Sequence, residues 1–196
     1  MNILILNTSF SKPYSCVVKG SSVFYPQNSD GNVKHSEDTL VAIDNYLNSA
    51  GITINDIDVI AVNLGPGSFT GIRVGVALAK GFACASEKKL IAFNSMEQIL
   101  AFCKKEYALL EANSEEYYYG KVDNGSVEIG IVDRSATGYI YSSEEDINKM
   151  VDASIEVVLQ KIEKGEFVTI NELNPIYLKL SQAERELLKK EENGNS

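Results

Sequence analysis

The spacing of apolar residues changes period several times along the chain. Residues 3–6 are an unbroken apolar run, and residues 15–19 and 22–25 are short apolar stretches separated by Gly20-Ser21, so three strands in an antiparallel meander are predicted. Residues 28–34 are polar and contain glycine, which reads as a loop. In residues 36–50, Leu40, Val41, Ile43, Tyr46 and Leu47 recur at helical spacing, and Gly51 follows as a C-cap. Residues 57–64 read as a buried strand, 65–71 as a tight turn, 72–86 as a helix of small residues, 90–93 as a strand and 95–104 as a helix. The order is βββαβαβα.

The second half is thinner. Residues 107–111, 116–122 and 126–132 read as three more strands, with Asp123-Asn124-Gly125 as a hairpin turn, and they repeat the opening meander. Residues 144–150 and 153–164 read as two helices, 167–170 as a short strand, and 174–180 as extended or irregular. Residues 183–192 read as an exposed, charged helix, followed by a fraying end. Hairpin-linked strands followed by alternating helices and strands define an α/β mixed sheet of the ribonuclease H-like and actin-like kind. Two lobes are expected, one over residues 1–104 and a smaller, degenerate one over 105–196.

Composition narrows the chemistry. With 196 residues the chain can bury a real core. Its apolar runs are far shorter than the ~20 residues of a membrane span, and the first strand lacks the basic lead and cleavage site of a signal peptide. A cytoplasmic protein is expected. Cys16, Cys84 and Cys103 are scattered, without a CxxC pair, and read as reduced, mostly buried thiols. With His35 as the single histidine, neither a cysteine nucleophile nor a zinc site is well supplied, and no metal site is expected. The net charge of −9, from 27 acidic and 18 basic side chains, argues against independent nucleic-acid binding. Any RNA is expected to be held through a partner.

The most constrained stretch is Gly65-Pro66-Gly67-Ser68-Phe69-Thr70-Gly71. It links a buried strand to a helix start, with Ser68 or Thr70 available to cap the helix, and such a start attracts anions. It is neither a Walker A loop nor GxGxxG. A well-made turn without a ligand is the plainer reading. Behind it Gly71, Gly75 and Ala79 recur every four residues as a flat stripe, with Val76, Lys80 and Ala83 beside it. Such a stripe permits close helix approach, although part of it must pack on its own sheet.

Together with Ile3-Leu4-Ile5-Leu6-Asn7-Thr8-Ser9, His35-Ser36, Ala79-Lys80-Gly81 and Pro175-Ile176-Tyr177-Leu178, this stretch resembles the TsaB (YeaZ) family. The resemblance implies an actin-like ATPase (ASKHA) fold and a role as non-catalytic partner of TsaD. TsaD transfers the threonylcarbamoyl group onto the adenosine beside the anticodon of tRNA, and the ATPase TsaE assists. A homodimer is implied for the free chain, with tRNA reached only through the complex. By the same resemblance, the stripe helix and the helix at residues 36–50 meet TsaD or a second copy, with Gly71, Arg73, Gly75, Val76, Lys80, Ala83 and Cys84 at or near the contact.

Active relatives carry an aspartate where this chain has Asn7, and TsaD carries a histidine pair where Ser95 and Ile99 stand. No cofactor is required on this reading. Weak ATP or ADP binding near the complex interface, without hydrolysis, stays open, with Asn7, Thr8, Gly65, Gly67 and Ser68 as candidate phosphate contacts. Family members often show Asp-Ala-Arg where this chain has Glu111-Ala112-Asn113, which leaves the arginine's pairing open. His35 reads as a structural hydrogen-bonding residue. A small ATPase or phosphotransferase is the alternative reading, and a metallopeptidase is a third that the absent histidine pair opposes.

Overall fold

A computed structural model describes residues 1–25 and 37–179. His35, the loop at 28–34 and the helix expected at 183–192 lie outside the described residues. Strands β1 (Asn2–Asn7), β2 (Tyr14–Lys19) and β3 (Ser22–Phe24) form the opening meander, followed by α1 (Glu37–Ala50), β4 (Val59–Asn63), α2 (Phe69–Ser86), β5 (Lys89–Phe93) and α3 (Ser95–Cys103). The second half holds β6 (Tyr107–Glu111), β7 (Glu116–Asp123), β8 (Ser126–Asp133), β9 (Tyr139–Ile140) and α4 (Ile147–Glu163).

The first sheet runs β3-β2-β1-β4-β5 and the second β8-β7-β6-β9. Each contains an antiparallel meander, and the first strand of each meander pairs in parallel with a later strand, β4 or β9. The second sheet is therefore a shortened repeat of the first. This is the mixed α/β, actin-like architecture that the order of elements implied.

Strand β1 is the axis of the first sheet. Ile3, Leu4, Ile5 and Leu6 are at most 1% exposed, because alternate residues face opposite layers and both layers are covered. Leu4, Leu6, Ile60 and Val62 pack against Ile43 and Leu47 of α1 and Ile72, Val76, Ala79 and Ala83 of α2. Ile3, Ile5, Cys16, Val59, Ala61, Ile91 and Phe93 pack against Val151, Val157 and Val158 of α4. A third core sets Met96, Ile99 and Leu100 of α3 against Ala108 and Leu110 of the second sheet. Full burial of each such aliphatic side chain contributes roughly 1.5–3 kcal/mol.

The local signals explain most boundaries. Gly51 adopts φ 63°, its N–H donating to Asn48 O and the next N–H to Leu47 O, both at 3.0 Å, which closes α1 in a Schellman motif. Asn124 and Gly125, with φ of 47° and 80°, form the two-residue turn between β7 and β8.

Three expectations need correction. The two helices expected at 144–150 and 153–164 are one. Asp146 caps α4 by accepting from the N–H groups of Asn148 and Lys149, and buried Met150, Val151, Ser154, Val157 and Val158 keep one helical face across the supposed break. Residues 167–170 give only a bridge between Val168 and Leu90, since Ile170–Glu172 turns into a 3-10 helix. The thiols also differ from expectation: Cys16 is buried, Cys103 half-buried and Cys84 exposed, because position 84 falls on the outward side of α2. Among the described residues no helix is long and apolar enough to cross a membrane.

Candidate functional site

The glycine-rich turn leaves the end of β4 and opens α2, as its residues imply. Ser68 is the cap: its Oγ accepts from Gly71 N–H at 3.2 Å, and the helix begins at Phe69, with Thr70 inside its first turn. Several polar groups of the turn are engaged by the chain itself. Ser68 N–H donates to Ser9 O at 2.7 Å, Thr8 Oγ–H donates to Gly71 O at 2.6 Å, and Gly65 N–H donates to Asn63 Oδ1 at 2.8 Å. A Cβ at Gly67 would collide with Ser9 O, and one at Gly71 with Thr8 O. These glycines are therefore needed for close approach of the β1–β2 connection.

Beneath the turn lies a buried amide and hydroxyl cluster. Asn7 is 0% exposed, with its Nδ2 donating to Gln98 Oε1 at 2.6 Å and to the Tyr14 hydroxyl at 3.3 Å. Its Oδ1 accepts from Ser9 N–H at 3.2 Å and Ser9 Oγ–H at 2.8 Å. Gln98 Nε2 donates to Met150 O at 2.8 Å and to the Tyr14 hydroxyl, and Tyr14 donates to Met150 O at 3.2 Å. Burial pushes the Tyr14 phenol well above its ordinary range, so it remains a donor at all ordinary pH values. Asn63 and Ser95 complete the cluster through a Ser95 Oγ to Asn63 Oδ1 bond of 3.2 Å. The cluster joins β1, β2, β4, α3 and α4.

The candidate phosphate contacts are thus placed together but turned inward. Asn7 and Thr8 are buried, Gly65 and Ser68 spend the N–H groups named above on their own chain, and Gly67 lies against Ser9 O. Ser95 is held in the polar cluster and Ile99 lies in the third core, each 0% exposed. Among the described residues no group of three histidine, cysteine, aspartate or glutamate side chains gathers as a metal centre. Asn63, Gln98 and Tyr14 were missed, for an amide at a strand end carries no motif. Gln98, three residues after Ser95 on a helix face otherwise apolar, was the available signal.

The stripe on α2 is corrected in the same way. Gly71 and Gly75 face Thr8, while Val76 and Ala83, at 6% and 3% exposure, belong to the first core. These four cannot face a partner. The outward side of α2 carries Thr70, Arg73, Ala77, Gly81, Cys84 and Ala85, with Lys80 half-buried. Beside it, Leu40, Ile43 and Leu47 of α1, Ile52, Ile54 and Phe82 line a surface cavity of about 360 Å³. Leu40 and Val41 are 47% and 60% exposed.

The residues that fill the expected arginine's surroundings were also unforeseen. Arg134, at the end of β8, donates through Nη1 to the Tyr117 hydroxyl at 2.8 Å and through Nη2 to Glu111 and to Asn113 O. Its Cζ lies over the Tyr117 ring, 4.3 Å from the ring centre.

Taken together, the molecule is an actin-like mixed α/β fold with two sheets, whose glycine-rich turn is packed against the β1–β2 connection. The family described as "TsaD: tRNA N6-adenosine threonylcarbamoyltransferase" matches residues 28–173. The tRNA threonylcarbamoyladenosine biosynthesis protein TsaB of Haemophilus influenzae is 28% identical over 132 residues, which is 64% of this chain and 53% of that protein. TsaB of Escherichia coli is 33% identical over 63 residues, covering 32% of this chain and 27% of that protein. The alignments thus span about half the length of the first relative and less of the second. A solved structure, "YeaZ from Pseudomonas aeruginosa", shares the fold with a TM-score of 0.71 over 90% of this chain and 99% of that one, at 18% identity. The chain belongs to the TsaD family, and within it is similar to the TsaB (YeaZ) proteins just described.

Proposed function

We propose that the chain is a non-catalytic subunit of the machinery that installs threonylcarbamoyl on the adenosine beside the anticodon of tRNA. On this reading it binds and stabilises TsaD, helps recruit TsaE, reaches tRNA only through the complex, and pairs with a second copy when alone. The observation that carries the reading is the outward face of α2, a small-residue surface with Arg73 at one end, and the cavity beside it, lined by Leu40, Ile43, Leu47 and Phe82 together with Asp44, Asn48 and Thr53. Helices bearing Ala77, Gly81 and Ala85 outward can be approached closely by a partner helix. The non-catalytic part is supported by Asn7, a neutral amide held in hydrogen bonds, and by the packing of the turn against Thr8 and Ser9. Any ATP or ADP would then sit outside that turn, at the contact with TsaD.

The test is co-purification with TsaD from the same cell, followed by an assay for the modified nucleoside with and without this chain. Ala77→Arg is expected to abolish complex formation while leaving the melting temperature within a few degrees, because position 77 is exposed. Undiminished complex formation by Ala77→Arg overturns the docking face. Ala83→Arg is a poor probe, since it puts a charge into the first core.

A further inference from the structure

After the 3-10 turn at Ile170–Glu172, the chain crosses from one lobe to the other without regular structure. Leu173 is fully buried in the first core. Ile176 N–H donates to Leu64 O at 2.8 Å, which ties the segment to the start of the glycine-rich turn. Tyr177 stacks on Phe69 with ring centres 4.3 Å apart, and its hydroxyl accepts from Arg73 Nε at 2.8 Å. Arg73 Cζ lies 4.1 Å from the centre of the Phe69 ring and 5.6 Å from that of Tyr177. Two residues on, Lys179 pairs with Glu116 at the start of β7, on the second sheet. Glu116 also accepts from Asn113 Nδ2 at 3.3 Å, in the loop that Arg134 braces.

We infer that residues 173–179 are a clasp that regulates docking on α2. This rests on the docking face proposed above and adds what sets its state. When the clasp is closed, Phe69 and Tyr177 hold Arg73 in one pose at the N-terminal end of the face, and Lys179 fixes the second lobe against it. When it opens, Arg73 loses a hydrogen bond and one of its two rings, and the lobes lose a tie outside the buried cluster. An irregular segment held by a few discrete contacts belongs to the low-stability end of a structure, so its opening is a separate equilibrium from global unfolding. Both lobes bias that equilibrium, which is the physical requirement for coupling between them.

The experiment uses the full chain with TsaD and measures binding together with amide hydrogen exchange. Tyr177→Ala is expected to raise exchange at residues 64–73 and to weaken TsaD binding about tenfold, with Tyr177→Phe, which keeps the stack, falling between it and the wild type. Lys179→Met is expected to weaken binding several-fold although it pairs with the other lobe. Unchanged exchange and binding in Tyr177→Ala overturn the clasp. If Ala77→Arg abolishes binding while Tyr177→Ala does not weaken it, the docking face stands and the clasp falls. If Ala77→Arg binds as the wild type does, the docking face falls and the clasp's role falls with it.

Discussion

Gly71→Ala will lower the stability of the chain by about 3 kcal/mol, whereas Gly81→Ala, on the same helix, will raise it by about 0.5–1 kcal/mol. Alanine is the better helix former, so intrinsic propensity favours both changes. At Gly71 a Cβ meets the carbonyl of Thr8, which is backbone held in place by the Thr8 Oγ to Gly71 O bond and cannot swing aside. At Gly81 the added methyl meets nothing within 4 Å. For a domain of this size the first change corresponds to a fall of roughly 6–12 °C in Tm, readable by thermal denaturation. Equal effects of the two substitutions would show that the turn and β1–β2 connection are not in contact.

Asn7→Asp, which puts a carboxyl into the buried cluster, will destabilise the fold by several kcal/mol at neutral pH and will not produce ATP hydrolysis. Asn7 Nδ2 now donates to Gln98 Oε1, and an aspartate oxygen there would face that acceptor directly. Gln98 cannot simply flip, because its Nε2 already serves Met150 O and Tyr14. The new carboxyl is therefore held neutral, with a folded-state pKa above its unfolded value of about 3.9. The sign follows: below the unfolded pKa both states are protonated and the charge penalty vanishes. As pH rises above it the unfolded state ionises first, and the variant loses about 1.4 kcal/mol per pH unit until the folded-state pKa is reached. Denaturant titrations of variant and wild type from pH 3 to 8 measure this slope, and a pH-independent difference contradicts a sealed cluster.

The first eight elements and strands β6 to β8 were legible because each carried a local signal of its own: alternation or apolar runs for strands, Gly51 for the end of α1, Asn124-Gly125 for the hairpin between β7 and β8. Strand β9 was not, since two residues, Tyr139 and Ile140, are too few to show a period, and their pairing with Ala108 and Leu109 is a tertiary event. The face of α2 shows the limit most clearly. Positions 71, 75, 79 and 83 and positions 77, 81 and 85 are both small stripes of period four, and what decides between them is the approach of Thr8 from sixty residues away in sequence. The same holds for the turn: its glycines announced a close approach, and the approaching group proved to be the chain's own carbonyls. Arg134 reached the Glu111 to Asn113 loop from β8, where no comparison of adjacent residues would seek it.

The position of α4 has a consequence for how the chain comes into being. The face of the first sheet formed by Ile3, Ile5, Cys16, Val59, Ala61, Ile91 and Phe93 has its cover in Val151, Val157 and Val158. During synthesis, every strand of that sheet leaves the ribosome before its lid does. At about 5–20 residues per second, the interval between Phe93 and Val158 leaves an oily sheet face uncovered for several seconds in each nascent chain. That interval is when a chaperone would find this protein, and a stalled or prematurely ended message would release a product that aggregates rather than a working half.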